Sequence, residues 1–372
     1  MNTLKKIITS SSLVTLAVAS FQIKADKQTS HFDYEGGLTA IAQGSDQKKN
    51  NSGIEASADL LLYYQKNQWQ VSFHLEGNLP PSKNSITNRL PESNADAFSA
   101  VDQYNNGRLQ LSELTITHTP TQAPTDRAFL KQFTFGLIDA TAFFDNNAVM
   151  NDENTQFIAA PFVNNPTIDF PDYTLGVSAA LQLGFKPHLE TQVGIFSGKG
   201  LADNANRDYN ETTKIDPDSK GILTIAETQL MNTPLHHLSV GAWLHSGDHT
   251  DINDATKTDL INYGFYLTGS HQMHQNTFAV RLGYSRPETN ERNKFISLAV
   301  QHQYNSQWTT GMAADYQMAA ISQTKDSQSL EAYAQYQPFQ NDFFITPSLQ
   351  YFHNSSIAKN ISVANLRLSY QF

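Results

Sequence analysis

Apolar and polar residues alternate along most of this chain. Trp69, Val71, Phe73 and Leu75 alternate with Gln70, Ser72, His74 and Glu76. Phe278, Val280, Leu282 and Tyr284 alternate with Thr277, Ala279, Arg281 and Gly283. A period of two assigns each set to one face of a β-strand. The pattern predicts about sixteen strands, over 31–43, 53–65, 68–78, 108–119, 129–138, 174–185, 188–198, 221–231, 236–246, 260–271, 275–286, 293–304, 307–318, 328–337, 342–352 and 361–372. The fourth changes face between Leu111 and Leu114, which predicts a bulge. Pro347 lies inside the fifteenth, where its missing N–H interrupts a ladder.

The connections have a parity. Every second one is short: Lys66-Asn67, Lys186-Pro187, 232–235, 272–274, Asn305-Ser306 and 338–341, with 120–128 the longest of that set. The others are longer, up to 79–107 and 139–173. Tight turns at one rim and long loops at the other are expected of an up-and-down membrane barrel. A soluble sandwich has no reason to keep such parity. The expected fold is therefore all-β: a closed antiparallel transmembrane β-barrel occupying 26–372. The last strand must pair with the first, because lipid satisfies no backbone polar group.

One stretch breaks the alternation. Residues 136–171 read GLIDATAFFDNNAVMNDENTQFIAAPFVNNPTIDFP, rich in Asn, Asp and Phe. A connection this long inside a compact domain is usually functional. We expect 139–173 to fold inward as a constriction loop. The stretch also resembles the OprB-type carbohydrate-selective porins. The likeness is carried by Gly136 with Asp139, by FFDNNA at 143–148, NDENTQF at 151–157 and NNP at 164–166. It implies an outer-membrane channel for passive diffusion of small sugars.

Composition fits that class. The 22 Phe, 15 Tyr and 3 Trp recur at segment ends, as aromatic girdles do. There is no Cys, which suits a chain crossing an oxidising compartment. Lys5 and Lys6, an apolar run from Ile7 to Val18 and small residues at Ala19 and Ala25 predict a secretory signal peptide over 1–25. Its removal takes three lysines and no acid from the 25 basic and 35 acidic groups, leaving a formal charge of about −13. That balance excludes nucleic acid as a partner. The expected partners are outer-membrane lipid, small sugar solutes and the barrel-assembly machinery, which would read the last strand ending at Phe372; a homo-oligomer is compatible with all of these.

Within the loop, Phe143, Phe144 and Phe157 offer rings to the apolar face of a sugar. Asp139, Asp145, Asn146, Asn151, Asp152 and Glu153 offer hydrogen bonds to its rim. By alternation Arg281 and Arg367 point inward near mid-height, where they would face the acidic loop and share sugar hydroxyls with it. No cofactor is implied. His236-His237, His271/His274 and His245/His249 are paired, but none joins a carboxylate at metal-ligand spacing, so no metal ligand is assigned. No nucleophile–base motif points to an enzyme. A general or ion-selective porin of the same architecture, and then a barrel enzyme or adhesion protein, are the alternatives.

Overall fold

The structure, a computed structural model, describes residues 30–47, 52–79, 85–96, 107–121, 129–183, 189–201, 208–214, 221–339 and 342–372. The expected signal peptide, the Lys186-Pro187 turn and the connection 122–128 lie outside them.

Sixteen antiparallel strands close into one barrel: β1 (Ser30–Ser45), β2 (Ser52–Lys66), β3 (Trp69–Leu79), β4 (Arg108–His118), β5 (Phe129–Ile138), β6 (Thr174–Gln182), β7 (Glu190–Ser197), β8 (Ile222–Thr233), β9 (His236–His249), β10 (Leu260–Met273), β11 (Asn276–Ser285), β12 (Arg292–Gln303), β13 (Trp308–Ala319), β14 (Ser327–Tyr336), β15 (Phe343–His353) and β16 (Asn360–Gln371). Each strand pairs with its sequence neighbours, and β1 pairs with β16 from Gly37↔Gln371 to Ser45↔Val363. The seam continues to the last residue: Gly36 and Phe372 exchange main-chain hydrogen bonds of 3.0 Å in both directions. Gly36 has to be glycine there, since a Cβ would lie 2.6 Å from the Phe372 ring and 2.7 Å from the Asp59 carbonyl oxygen.

The expected irregularities have visible causes. Leu75 pairs with Leu111 and His74 with Glu113, so Ser112 is the extra residue of a bulge in β4. At Pro347 the β14–β15 ladder is interrupted between Tyr333↔Ser348 and Tyr336↔Ile345, while β15–β16 runs through it unbroken. Tight turns at Asn67-Gln68 and His274-Gln275 begin with residues at φ 56°, the left-handed conformation that two-residue hairpins require.

Burial is inverted relative to a water-soluble protein. In β16, Leu366, Leu368 and Tyr370 are exposed, while Asn365, Arg367 and Ser369 are buried. The same inversion holds in β13, where Met312 is exposed and Asp315 buried. An apolar outer surface of this extent suits hydrocarbon surroundings. At the short-turn rim Trp308 stacks on Tyr336 with ring centroids 4.6 Å apart, and Trp69 lies against His118. These amphipathic rings sit where an interface girdle belongs. Among the described residues no helix is long and apolar enough to cross a membrane.

Candidate functional site

The site is built around 139–173, which leaves β5 and returns at β6. Asp139 caps a short helical turn over Ala140–Ala142, accepting 2.8 Å hydrogen bonds from the Thr141 N–H and hydroxyl. Phe144 then enters a buried cluster with Ile138, Ile168, Leu223, Ile225 and Trp243, edge-on to Phe196. A second helical turn, Ala160–Val163, sits in another cluster with Met150, Phe157 and Tyr333. Apolar burial of these rings anchors the segment on the wall near its start and again beyond its middle, by about 1.5–3 kcal/mol for each fully buried ring.

Between those anchors, inward side chains of the wall hold the loop by its main chain. Arg281 of β11 donates through Nη1 to the carbonyls of Phe162 (3.2 Å) and Val163 (2.9 Å). Its Nη2 donates to the Asp145 carbonyl (2.8 Å) and Asn151 Oδ1 (3.3 Å). Its Nε lies 3.1 Å from Asp145 Oδ2. Arg367 of β16 donates to the carbonyls of Glu153 (2.6 Å) and Gln156 (2.9 Å). Glu331 of β14 accepts from the N–H groups of Ile158 (3.2 Å) and Ala159 (2.9 Å). The Asn154 carbonyl accepts from Ser369 (3.1 Å), and its side-chain oxygen accepts from Thr39 of β1 (2.6 Å). In a ring of sixteen strands β13 stands opposite β5. A segment leaving β5 and bound to β14 and β16 therefore crosses to nearly the far wall.

These contacts decide the roles of the expected residues. Arg281 and Arg367 do face the loop, but both are fully buried by it. Their surroundings favour a staple over contact with a solute, because the loop encloses both guanidinium groups and their Nη1 and Nη2 atoms donate to its oxygens. Asp145 is buried with Arg281; burial pushes its carboxyl up to about 7, with Arg281 opposing and Glu227 adding to the rise. Phe144 and Phe157 are buried pins, and Phe157 packs against both Phe162 and Tyr333. Asn146 is used inside the loop, donating to the Ala142 carbonyl and accepting from Asn151.

Asp139, Phe143, Asn151, Asp152 and Glu153 have a different setting. They line a cavity of about 230 Å³ between the loop and the β2–β5 wall. The wall contributes Asp59, Tyr63, His74, Glu76 and Glu113; Asp96 and Tyr173 complete it. Seven carboxylates surround this space, and among the described lining residues there is no Lys or Arg. His74 lies 3.1 Å from Asp59 and 3.3 Å from Glu113. Burial first, then the neighbouring acids, raise the Asp96 carboxyl to about 7 and Asp139 to about 6. Glu153 is raised for the same reasons, Asp96 and Asp152 being its acidic neighbours.

Sequence reasoning did not single out Glu113, Asp96 or Tyr173. Glu113 follows the bulged residue, so alternation assigns its face only once Ser112 is recognised as extra. Asp96 and Tyr173 lie in connections, where no period speaks. One expectation needs correction: His245 and His249 do join a carboxylate. Asp169 Oδ2 lies 2.7 Å from His245 Nδ1 and 2.8 Å from His249 Nε2. Burial would raise the Asp169 carboxyl, but hydrogen bonds from the two imidazoles hold it well below the usual carboxylate range.

No protein-family profile matches the chain. A stretch of 48 residues, 13% of this chain, is 44% identical to an uncharacterised protein of Aquifex aeolicus and spans 16% of that relative's length. Solved structures are similar over nearly the whole length. The high-pH structure of Pseudomonas putida OprB has a TM-score of 0.63 at 11% identity, over 92% of this chain and 94% of that one. A mutant of Rh. blastica porin has 0.56 at 9%, over 92% and 100%. The anion-selective porin from Comamonas acidovorans has 0.56 at 8%, over 92% and 100%. At such identities the likeness establishes the fold, a porin-type barrel.

Proposed function

We propose that this protein is an outer-membrane porin of a Gram-negative bacterium, through which small carbohydrates diffuse passively into the periplasm. In this reading 1–25 is the export signal, the tight turns and both termini face the periplasm, and 139–173 narrows the channel. The observation that carries it is the cavity left between the stapled loop and β2–β5. Phe143, Tyr63 and Tyr173 there offer apolar ring surface to the C–H faces of a sugar. Asp139, Asp152 and Glu113 beside them accept hydrogen bonds from its hydroxyls. No chemical step is involved. Contacts favour entry without trapping, which is what passage requires. The likeness of the loop motifs to the OprB-type family and the barrel's similarity to Pseudomonas putida OprB point the same way.

The carboxylate lining supports a second reading, a general porin that prefers cations. Liposome swelling with mono- and disaccharides against polyols of matched size separates the two. A carbohydrate channel passes the sugars faster, and they block single-channel current in a saturable way. If sugars pass no faster than size-matched polyols and leave the current unblocked, the carbohydrate reading is lost and the general porin stands. If purified protein forms no channel at all, both fail, and an adhesion protein or barrel enzyme remains.

A further inference from the structure

At the long-loop rim three metal-ligating side chains converge. His245 and His249 end β9, and Asp169 lies just before the inward loop returns to β6. None of the three lines the acidic cavity. Their ligand atoms, His245 Nδ1, His249 Nε2 and Asp169 Oδ2, all lie within 4.8 Å of one another. They come from chain segments 76 and 80 residues apart, so the barrel itself brings them together.

The hydrogen-bond chemistry of His249 is the second observation. Its Nδ1 faces two main-chain carbonyl oxygens, Gly247 at 2.7 Å and Leu260 at 3.2 Å. A carbonyl only accepts, so Nδ1 carries the proton. Nε2 then presents its lone pair to a carboxylate oxygen 2.8 Å away. Two acceptors cannot share that distance with nothing between them: a proton, held by the ring or by the carboxyl, or a metal ion must bridge them. Holding the distal nitrogen on backbone carbonyls is how proteins orient a metal-binding imidazole. Asn262 of β10, with Nδ2 3.2 Å from Asp169 Oδ2, orients the carboxylate in the same manner.

We propose that Asp169, His245 and His249 bind a borderline divalent transition-metal ion, Zn²⁺ being the representative, and so tie the end of the inward loop to β9. Two imidazoles and one carboxylate match that class; Ca²⁺ and Mg²⁺ call for oxygen ligands throughout. Bonds of about 2.0–2.1 Å in a tetrahedron put ligand atoms roughly 3.3 Å apart. The observed 2.7 and 2.8 Å contacts to Asp169 need to open by only about half an ångström. The Asp169 side chain is 37% exposed, so an ion can enter and water can take the fourth position. The inference does not depend on what passes through the barrel.

The test uses the full mature chain in detergent, without a histidine tag. Co²⁺ should bind one per chain with the visible absorption of a four-coordinate site, and Zn²⁺ should displace it. Asp169→Asn and His249→Gln should each weaken binding on the order of 100-fold. The double variant His236→Gln with His271→Gln alters the stacked imidazole pair at the opposite rim, whose centroids are 4.5 Å apart, and should change nothing. Heat-modifiability on a gel shows that each variant has folded. Three results would overturn the site: no stoichiometric binding to the wild-type protein in the micromolar range, a folded His249→Gln protein that binds as tightly as wild type, or loss of binding in the His236/His271 variant.

Discussion

The inward loop has two sides, and charge is used in opposite ways on them. Toward β11–β16 the charged groups are buried and matched: Arg281 meets Asp145 and four oxygen acceptors, Arg367 meets two carbonyls, and Glu331 meets two N–H groups. Toward β2–β5 seven carboxylates face one cavity with His74 as the single group of opposite sign among the described lining residues. Matched charge immobilises a segment; unmatched charge of one sign leaves a field for a solute to feel. The barrel thus pins a loop along one wall and leaves an acidic cavity along the other.

The largest expected effect comes from breaking the pinned side. Arg281→Met leaves Asp145 buried without its partner, a loss of about 3–5 kcal/mol from loop docking. The strands stay closed, so heat-modifiability should survive. The loop should become protease-sensitive, and single-channel conductance should rise and turn noisy. Adding Asp145→Asn removes the stranded charge and should restore part of the quiet conductance. If Arg281→Met conducts quietly at the wild-type level, the guanidinium is not the staple.

Next is the open side. Glu113→Gln with Asp152→Asn removes two of the seven carboxylates. Reversal potentials in a salt gradient should shift toward neutrality, while the fold is kept, because the amides preserve the size of the acids and, among the described residues, only His74 lies within ion-pair distance of either group. An unchanged reversal potential would mean that ions take a path elsewhere. By the same logic Arg367→Gln, on the pinned side, should alter conductance noise and leave selectivity nearly untouched.

The two sides also differed in how readily the sequence disclosed them. The wall was legible because lipid outside and water inside impose a period of two along the strands, and its break in β4 betrays the bulge at Ser112. Alternation also placed Arg281 and Arg367 inward. It could not say whether water or loop would cover them, because that depends on a segment without a period. Within that segment Asp145 and Asp152 are the same residue type seven positions apart, yet one is an ion-pair partner and the other lines the cavity. Likewise Phe157 is a pin and Phe143 a lining ring. Asp169 escaped for another reason: spacing rules see ligands within one hairpin or helix, and its histidines lie across the barrel's topology.

A smaller effect should appear with pH. The Asp96 and Asp139 carboxyls sit at about 7 and about 6, raised chiefly by burial. A raised carboxyl is charged only above its shifted pKa, so its contribution to the field is present at pH 8 and lost as pH falls through 7 to 6. Cation preference should therefore decline between pH 8 and 5, well above the range of ordinary carboxylates near 4. Asp96→Asn should remove the upper part of that decline. A preference that stays flat down to pH 5 would show that these two acids do not act on the ion path.

The smallest effect belongs to a ring that stands between the two sides. Phe143 lines the cavity, yet it also packs against the cluster that buries Phe144. Only part of its face is therefore open to a solute. An aromatic contact adds about 0.5–1.5 kcal/mol beyond area, and a half-covered ring supplies the lower end of that range. Phe143→Leu keeps the packing volume and removes the ring. Sugar block of the current should weaken by roughly two- to threefold, which is the equilibrium equivalent of that energy. Open-channel conductance and reversal potential should not move, since no charge and little volume have changed. Phe157→Leu supplies the contrast: its ring is enclosed by Phe162 and Tyr333, so it should disturb loop docking and leave the affinity of any docked channel for sugar unchanged. If both variants weaken the block equally, the ring acts by placing the loop, and the division between pinned and open sides does not hold at Phe143.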